Sequence, residues 1–328
     1  MLVHEEAHYR ICRITVPTFT LVEWVHCYVY EDQTGVFLID AGMKDEDSWN
    51  KYQQAMKIHG FSPDRVKGIL ITHHHSDHTS GLERVVNTYN APVYADPRAI
   101  KRINDWTAFQ RRRLDFLSVY YAEAGCGVYG NTYIAAARNR LDQNASASHQ
   151  FQINAVQDNA VIGPFTVIET PGHSPDHLFF VHESERFAFT GDLILQDKST
   201  NALIEPDDSG DRMKTVDQYR ESLLKTKRLN LPRLYPGHGD IITDQSRVVH
   251  EKLDRINYKV TKLLSILEEG ALTPFDIAMR VYPDRYQTIF HLIMSDILGF
   301  LDYMEHKGLI DKYLDGGVWY YHLTGNEL

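Results

Sequence analysis

Residues 72–78 read Thr72-His73-His74-His75-Ser76-Asp77-His78, and this stretch decides the fold. The six residues before His73 (67–72, KGILIT) form a short apolar run with strand character. The histidines therefore begin where a strand ends and the chain turns into a loop. His73, His75, Asp77 and His78 can fold back around one locus. Imidazole nitrogens and carboxylates in such density suit zinc, and also iron or manganese. A polar surface loop does not call for four ligand-type residues within six positions.

Three further segments repeat the device. Thr170-Pro171-Gly172-His173 sets a histidine after a strand-like run (165–170, FTVIET) and a Pro-Gly turn. Thr190-Gly191-Asp192 sets an aspartate after another strand. Tyr235-Pro236-Gly237-His238-Gly239 returns to the Pro-Gly-His pattern. Each is a strand end followed by a tight turn carrying one ligand-type residue. Loops at strand ends are where a rigid scaffold displays reactive groups.

Working outward, strands and helices alternate up to about residue 95, which argues for α/β layers. Residues 35–40 (GVFLID) end in Asp40 and the turn Ala41-Gly42. Residues 97–150 read as a long helical insertion rich in arginine and tyrosine. Within 98–143 there are eight Lys/Arg against four Asp/Glu, in a chain whose net charge is −10. Helical patterns at 246–269, 274–281 and 286–307 precede a hairpin signal, Asp315-Gly316-Gly317. Helix, helix, helix and hairpin is the order of a winged helix. The expected division is a catalytic domain over 1–245 and a small winged-helix-like domain over 246–328.

The 328-residue chain is 43% apolar and 24% charged, an ordinary globular balance. Its net negative charge gives no general attraction for nucleic acid or anionic membrane. Cys12, Cys27 and Cys126 are scattered, as expected of reduced thiols in a cytoplasmic protein. The N-terminal run MLVHEEAHYR lacks the apolar core of a signal peptide, and no stretch approaches a membrane span.

Taken together, the H-x-H-x-D-H run at 73–78, His173, Asp192, His238 and Asp40 in LIDAG resemble the metallo-β-lactamase-fold hydrolases. The resemblance spans roughly residues 10–245. It implies an αββα sandwich with the site at one edge. It also implies ligand roles: His73, His75 and His173 for a first metal, Asp77, His78 and His238 for a second, and Asp192 bridging both. Asp40 would support the site from a strand end. The cofactor implied is a pair of divalent ions, zinc foremost, with iron or manganese as alternatives. Such a pair can share a water, lower its pKa and present a bridging hydroxide to an electrophilic carbon or phosphorus. Asp77 and Asp192 are the candidate catalytic carboxylates. His74 is expected to point away from the metals and His177 to be structural.

Within the resemblance, Asp192 argues against a dedicated antibiotic-degrading lactamase, and His75 against the flavodiiron branch. Glyoxalase II enzymes, sulfur dioxygenases, lactonases, nucleases and phosphodiesterases share the ligand set. The tail is similar to the winged helix of lactamase-B-like proteins, partly through 278–283 (AMRVYP). Residues 251–328 carry eight Lys/Arg and twelve Asp/Glu, however, so nucleic acid is not the expected partner. The tail is expected to pack, cap or form a homodimer. The basic insertion offers Arg111, Arg112, Tyr120 and Tyr129 as candidate contacts for a small anionic, partly apolar substrate. The expected reaction is hydrolysis of a thioester such as an acyl-CoA or a glyoxalase II-type substrate. A lactone, or the phosphodiester of a nuclease-type reaction, is the alternative.

Overall fold

The structure is a computed structural model that describes residues 2–18, 22–144, 152–196, 200, 202–207, 209–286 and 288–325. The last residues of the expected insertion, 145–150, lie outside the described residues.

The first sheet has seven strands in sequence order: β1 (Leu2–Glu5), β2 (Tyr9–Pro17), β3 (Trp24–Asp32), β4 (Val36–Ile39), β5 (Val66–Leu70), β6 (Val93–Ala95) and β7 (Ile153–Ala155). Strands β1 to β4 pair antiparallel, and β4 to β7 pair parallel. The second sheet holds β8 (Val161–Ile162), β9 (Phe165–Glu169), β10 (Leu178–His182), β11 (Phe187–Gly191) and β12 (Arg233–Pro236). Its order is β12-β11-β10-β9-β8, with only β11 and β12 parallel.

Three apolar clusters define the layers. Tyr28, Tyr30, Phe37, Phe165, Phe180, Phe187, Phe189 and Tyr235 fill the space between the sheets. On the outer face of the first sheet, Val16, Leu38 and Ile69 meet α1 (Glu46–Ile58), α3 (Leu82–Tyr89) and α4 (Pro97–Asn104). Outside the second sheet, Phe179, Val181, Ala188 and Leu234 join the third cluster. Its helices are α5 (Trp106–Glu123), α6 (Gly127–Gln143), α7 (Thr215–Lys227), α8 (Gln245–Leu267), α9 (Pro274–Val281) and α10 (Phe290–His306). The result is the α/β/β/α sandwich. Strand β10 shows the cause: Leu178 and Phe180 face the sheet interface while Phe179 and Val181 face helices. Both faces are buried, so an alternating strand reads as an unbroken apolar run.

The expected helical insertion is three helices, broken at Asp105 and at Gly125, which has φ +76°. Helix α4 starts on Asp96, whose carboxylate accepts from Arg98 N, followed by Pro97. Leu114, Leu117 and Tyr121 of α5 and Ile134 of α6 sit in the same cluster as α9, α10 and Tyr321. The insertion is thus half core and half surface. In the tail, α9 opens with a capping box between Thr273 and Asp276. Strands β13 (Ile310–Asp315) and β14 (Val318–Leu323) turn through Gly316 and Gly317, both at positive φ. Among the described residues no helix is long and apolar enough to cross a membrane.

Candidate metal centre

Five strand ends deliver the site. Strand β4 ends at Asp40, β5 leads to 72–78, β9 leads to His173, β11 ends beside Asp192, and β12 leads to His238. The run 72–78 leaves β5 and closes into a single turn, α2 (Ser76–Thr79), which folds Asp77 and His78 back toward His73.

The donor atoms converge in two groups. His73 Nε2 and His173 Nε2 each lie 3.0 Å from His75 Nδ1. Bonds of roughly 2.0–2.1 Å in a tetrahedral site imply about 3.3 Å between donor atoms, close to this spacing. The second group is Asp77, His78 and His238, with His238 Nε2 3.3 Å from Asp77 Oδ2. Asp192 stands between the groups. Its Oδ2 is 3.5 Å from His173 Nε2 and 3.2 Å from His238 Nε2, and its Oδ1 is 3.4 Å from His78 Nε2. His78 Nε2, His238 Nε2 and Asp192 Oδ1 are buried with no hydrogen-bond partner among the described residues. Buried polar atoms that face one another without bonding call for a shared ligand. The donor set fits two divalent cations.

Supporting bonds fix which nitrogen each ring presents. His78 Nδ1 donates to Asp40 Oδ2 at 2.8 Å, and His238 Nδ1 donates to the Trp24 carbonyl at 2.5 Å. Thr72 Oγ1 donates to Asp40 Oδ2 at 2.8 Å, so it accepts from His73 Nδ1 at 3.0 Å. Each bond occupies Nδ1 and turns Nε2 toward the centre. Asp40 also accepts from Thr72 N, and its backbone is held at φ +59°, a costly conformation for a non-glycine residue. Gly237 is required by closeness: a Cβ there would lie 2.6 Å from Asp192 Oδ1 and 2.7 Å from His78 Cε1.

The two loci differ electrostatically. Burial, reinforced by neighbouring histidines, drives the pKa values of His73 and His75 well below 6.5, so both rings are neutral and can offer a lone pair to a cation. Burial also opposes charge on His78, but the carboxylates of Asp192, Asp40 and Asp77 outweigh it and hold its pKa well above 6.5. His238 is raised to about 9 against its burial, chiefly by Asp192. The second locus thus demands positive charge.

His74 and His177 stand outside the two donor groups that share Asp192. His177 Nε2 accepts from Asp192 N at 3.0 Å while its Nδ1 faces Thr170 Oγ1. Burial pushes its pKa down to about 3, so it stays neutral and holds the Asp192 backbone. His74 Nδ1 donates to Asp176 Oδ1 at 2.7 Å, and His74 N donates to Asp176 Oδ2 at 2.8 Å. Arg102 of α4 adds contacts to Asp176 and Glu205, each at 3.2 Å, with Arg113 3.9 Å from Glu205. His74, His75 and Glu205 also lie close enough to hold an ion. The two guanidiniums beside Glu205 already balance it and repel a cation. Asp176, Glu205 and Arg102 are the residues that sequence reasoning passed over. Only Asp176 carried a signal, through its place in the run 173–177.

Beyond this network opens a cleft of about 1210 Å³. Pro175, Phe109, Arg102, Arg112, Phe116, Val119, Tyr120 and Met213 are among its lining residues; Pro175 lies two residues from His173, and Phe109 packs edge-on against His74. Of the four candidate substrate contacts, Arg112 and Tyr120 line this cleft. Arg111 is paired with Asp142 on the surface, and Tyr129 packs on Phe275 and Tyr286.

A family model described as the metallo-beta-lactamase superfamily matches residues 24–238. The probable metallo-hydrolase YqjP of Bacillus subtilis is 25% identical, over 95% of this chain and 97% of its own. An atrochrysone carboxyl ACP thioesterase of Aspergillus fumigatus is 24% identical, over 70% of this chain and 56% of its own. The crystal structure of a metallo-beta-lactamase family protein from Thermus thermophilus superposes with TM-score 0.71 at 20% identity. It covers 95% of this chain and 98% of its own.

Proposed function

The chain belongs to the metallo-beta-lactamase superfamily, and from that premise we propose that it hydrolyses small-molecule thioesters at a pair of divalent metal ions. It is a metal-dependent hydrolase; the metal count, the ligand roles and the thioester are our reading. The observation that carries it is the convergence of seven donor residues in two groups that share Asp192. The thioesterase relative supports the substrate class. So does the adjoining cleft, which joins arginines to aromatic and apolar side chains.

In this reading His73, His75 and His173 would hold one ion, Asp77, His78 and His238 would hold the other, and Asp192 would serve both. Zinc suits the donor set, with iron or manganese as alternatives. Such ions activate water and polarise a carbonyl when bound. The chain's residues do the rest. Asp40 and Trp24 fix the rings, and His177 fixes the backbone of Asp192. Asp77 is 14% exposed at its side chain and can pass a proton between the site and solvent. In the net reaction water adds to the acyl carbon, the carbon–sulfur bond breaks, and the products are a carboxylic acid and a thiol. The tail, residues 246–328, acts as a packing module: α8 to α10 share their core with α5 and α7.

The test is a hydrolysis screen over thioesters, lactones and phosphodiesters, with metal content measured on the same sample. Thioester turnover that rises with metal loading is expected. Turnover confined to lactones or phosphodiesters overturns the substrate class.

A further inference from the structure

Five cations line the cleft beside the metal centre: Arg98, Lys101, Arg102, Arg112 and Arg113. Three of them are committed to the fold. Arg98 bonds Asp96 and Glu169. Arg102 bonds Asp176 and Glu205, and Arg113 lies against Glu205. Of the acidic residues of the wall, one is paired with a cation and the other keeps its charge while it holds a turn. Asp115 pairs with Arg138, and Asp207 accepts the backbone N–H groups of Ser209 and Asp211. Lys101 and Arg112 remain; among the described residues neither makes an ion pair. They come from different helices, α4 and α5, yet line the same cleft. Phe116, Val119 and Met213 supply an apolar surface beside them.

We propose that Lys101 and Arg112 form an anion subsite that holds a phosphate group on the thiol part of the substrate, away from the bond that breaks. Two positive charges without ion-pair partners suit a phosphate monoester, although Asp207 leaves one negative charge elsewhere on the wall. Arginine offers it a planar fork of donors and lysine a point charge. The apolar wall covers the uncharged arm between phosphate and thioester. The substrate class is then an acyl thioester of a small phosphorylated thiol. This rests on the hydrolase reading for the reaction, but the subsite can be tested without it.

Two probes differ in the phosphate alone: octanoyl-phosphopantetheine and octanoyl-pantetheine. The wild-type kcat/KM should favour the first by about tenfold or more, as one or two charge-assisted contacts allow. In the Lys101→Ala/Arg112→Ala double variant that ratio should fall toward one, and Arg112→Lys should keep much of it. Calorimetric binding of free phosphopantetheine, which has no thioester to cleave, should weaken about tenfold in the double variant and also with added salt. A wild-type ratio near one, or a double variant that keeps its ratio and its phosphopantetheine affinity, overturns the subsite. If neither thioester is cleaved but the double variant still loses phosphopantetheine, the reaction reading fails and the subsite stands. If thioesters are cleaved but phosphopantetheine binding is indifferent to the substitutions, the subsite fails and the reaction reading stands.

Discussion

Asp40 touches no candidate donor group except through bonds that orient it. Its Oδ2 accepts hydrogen bonds from both His78 Nδ1 and Thr72 Oγ1, so one carboxylate sets the presenting nitrogen of a ring in each donor group. Asp40→Asn puts an N–H donor or a weaker acceptor opposite His78 Nδ1. The expected result is a metal affinity of the second locus about 10–100-fold weaker, as for other oriented-ligand partners. Chelator competition reads this, and unchanged affinity at both loci contradicts it. His26 makes a second residue-level prediction. Its Nε2 donates to the Gly239 carbonyl at 2.9 Å, next to His238, and burial together with Arg13 pushes its pKa down to about 4. Above pH 6.5 it is neutral whether the chain is folded or not. From 6.5 down to about 4 only the unfolded chain takes up the proton, so stability is lost over that window. The loss is roughly 3 kcal/mol. His26→Gln lacks it, so the stability advantage of wild type at pH 7 should shrink by pH 4.5. Urea unfolding at several pH values checks this; a constant difference contradicts it. At this scale the convergence of the donor residues was legible in the sequence, because side chains on successive strand ends carry turn residues that announce them. Glu205 lacked such punctuation, and Asp176 had only its place in the run 173–177; their partners His74 and Arg102 meet them only in three dimensions.

Among the elements, α4 and α5 are tied to the metal loop by buried charge. Asp176 and Glu205 are 0% and 1% exposed, and Arg102 from α4 bonds both. Burial alone would raise the Asp176 pKa; His74, then Arg102, overcome it and hold that carboxylate well below the usual range. Arg102→Ala leaves Asp176 with His74 alone and Glu205 with only Arg113 at 3.9 Å, and should cost about 3 kcal/mol. Arg111→Ala removes one half of a pair whose side chains are 60% and 64% exposed, and should cost about 0.5 kcal/mol or less. Equal melting temperatures for the two variants contradict the assignment. The basic insertion was legible as a charge pattern but not as a keystone. Its apolar positions find partners in α9, α10 and Phe179, far along the chain, and no local periodicity reports such distances.

For the whole molecule, the α/β/β/α layers follow from strands buried on both faces and helices with one apolar side. The helix and hairpin order after residue 246 was readable from capping and turn chemistry, since Thr273-Pro274 and Gly316-Gly317 act locally. What the sequence could not display was that tail and insertion would join in one cluster over the second sheet. The central claim is that seven residues hold two ions and that hydrolysis depends on them. Metal content and thioester turnover, measured together on wild type and Asp192→Ala, test it most directly. About two ions per wild-type chain are expected, with activity lost on chelation and restored on reloading. Asp192→Ala should lose metal and turnover together. Undiminished turnover by protein that holds no metal would contradict the account.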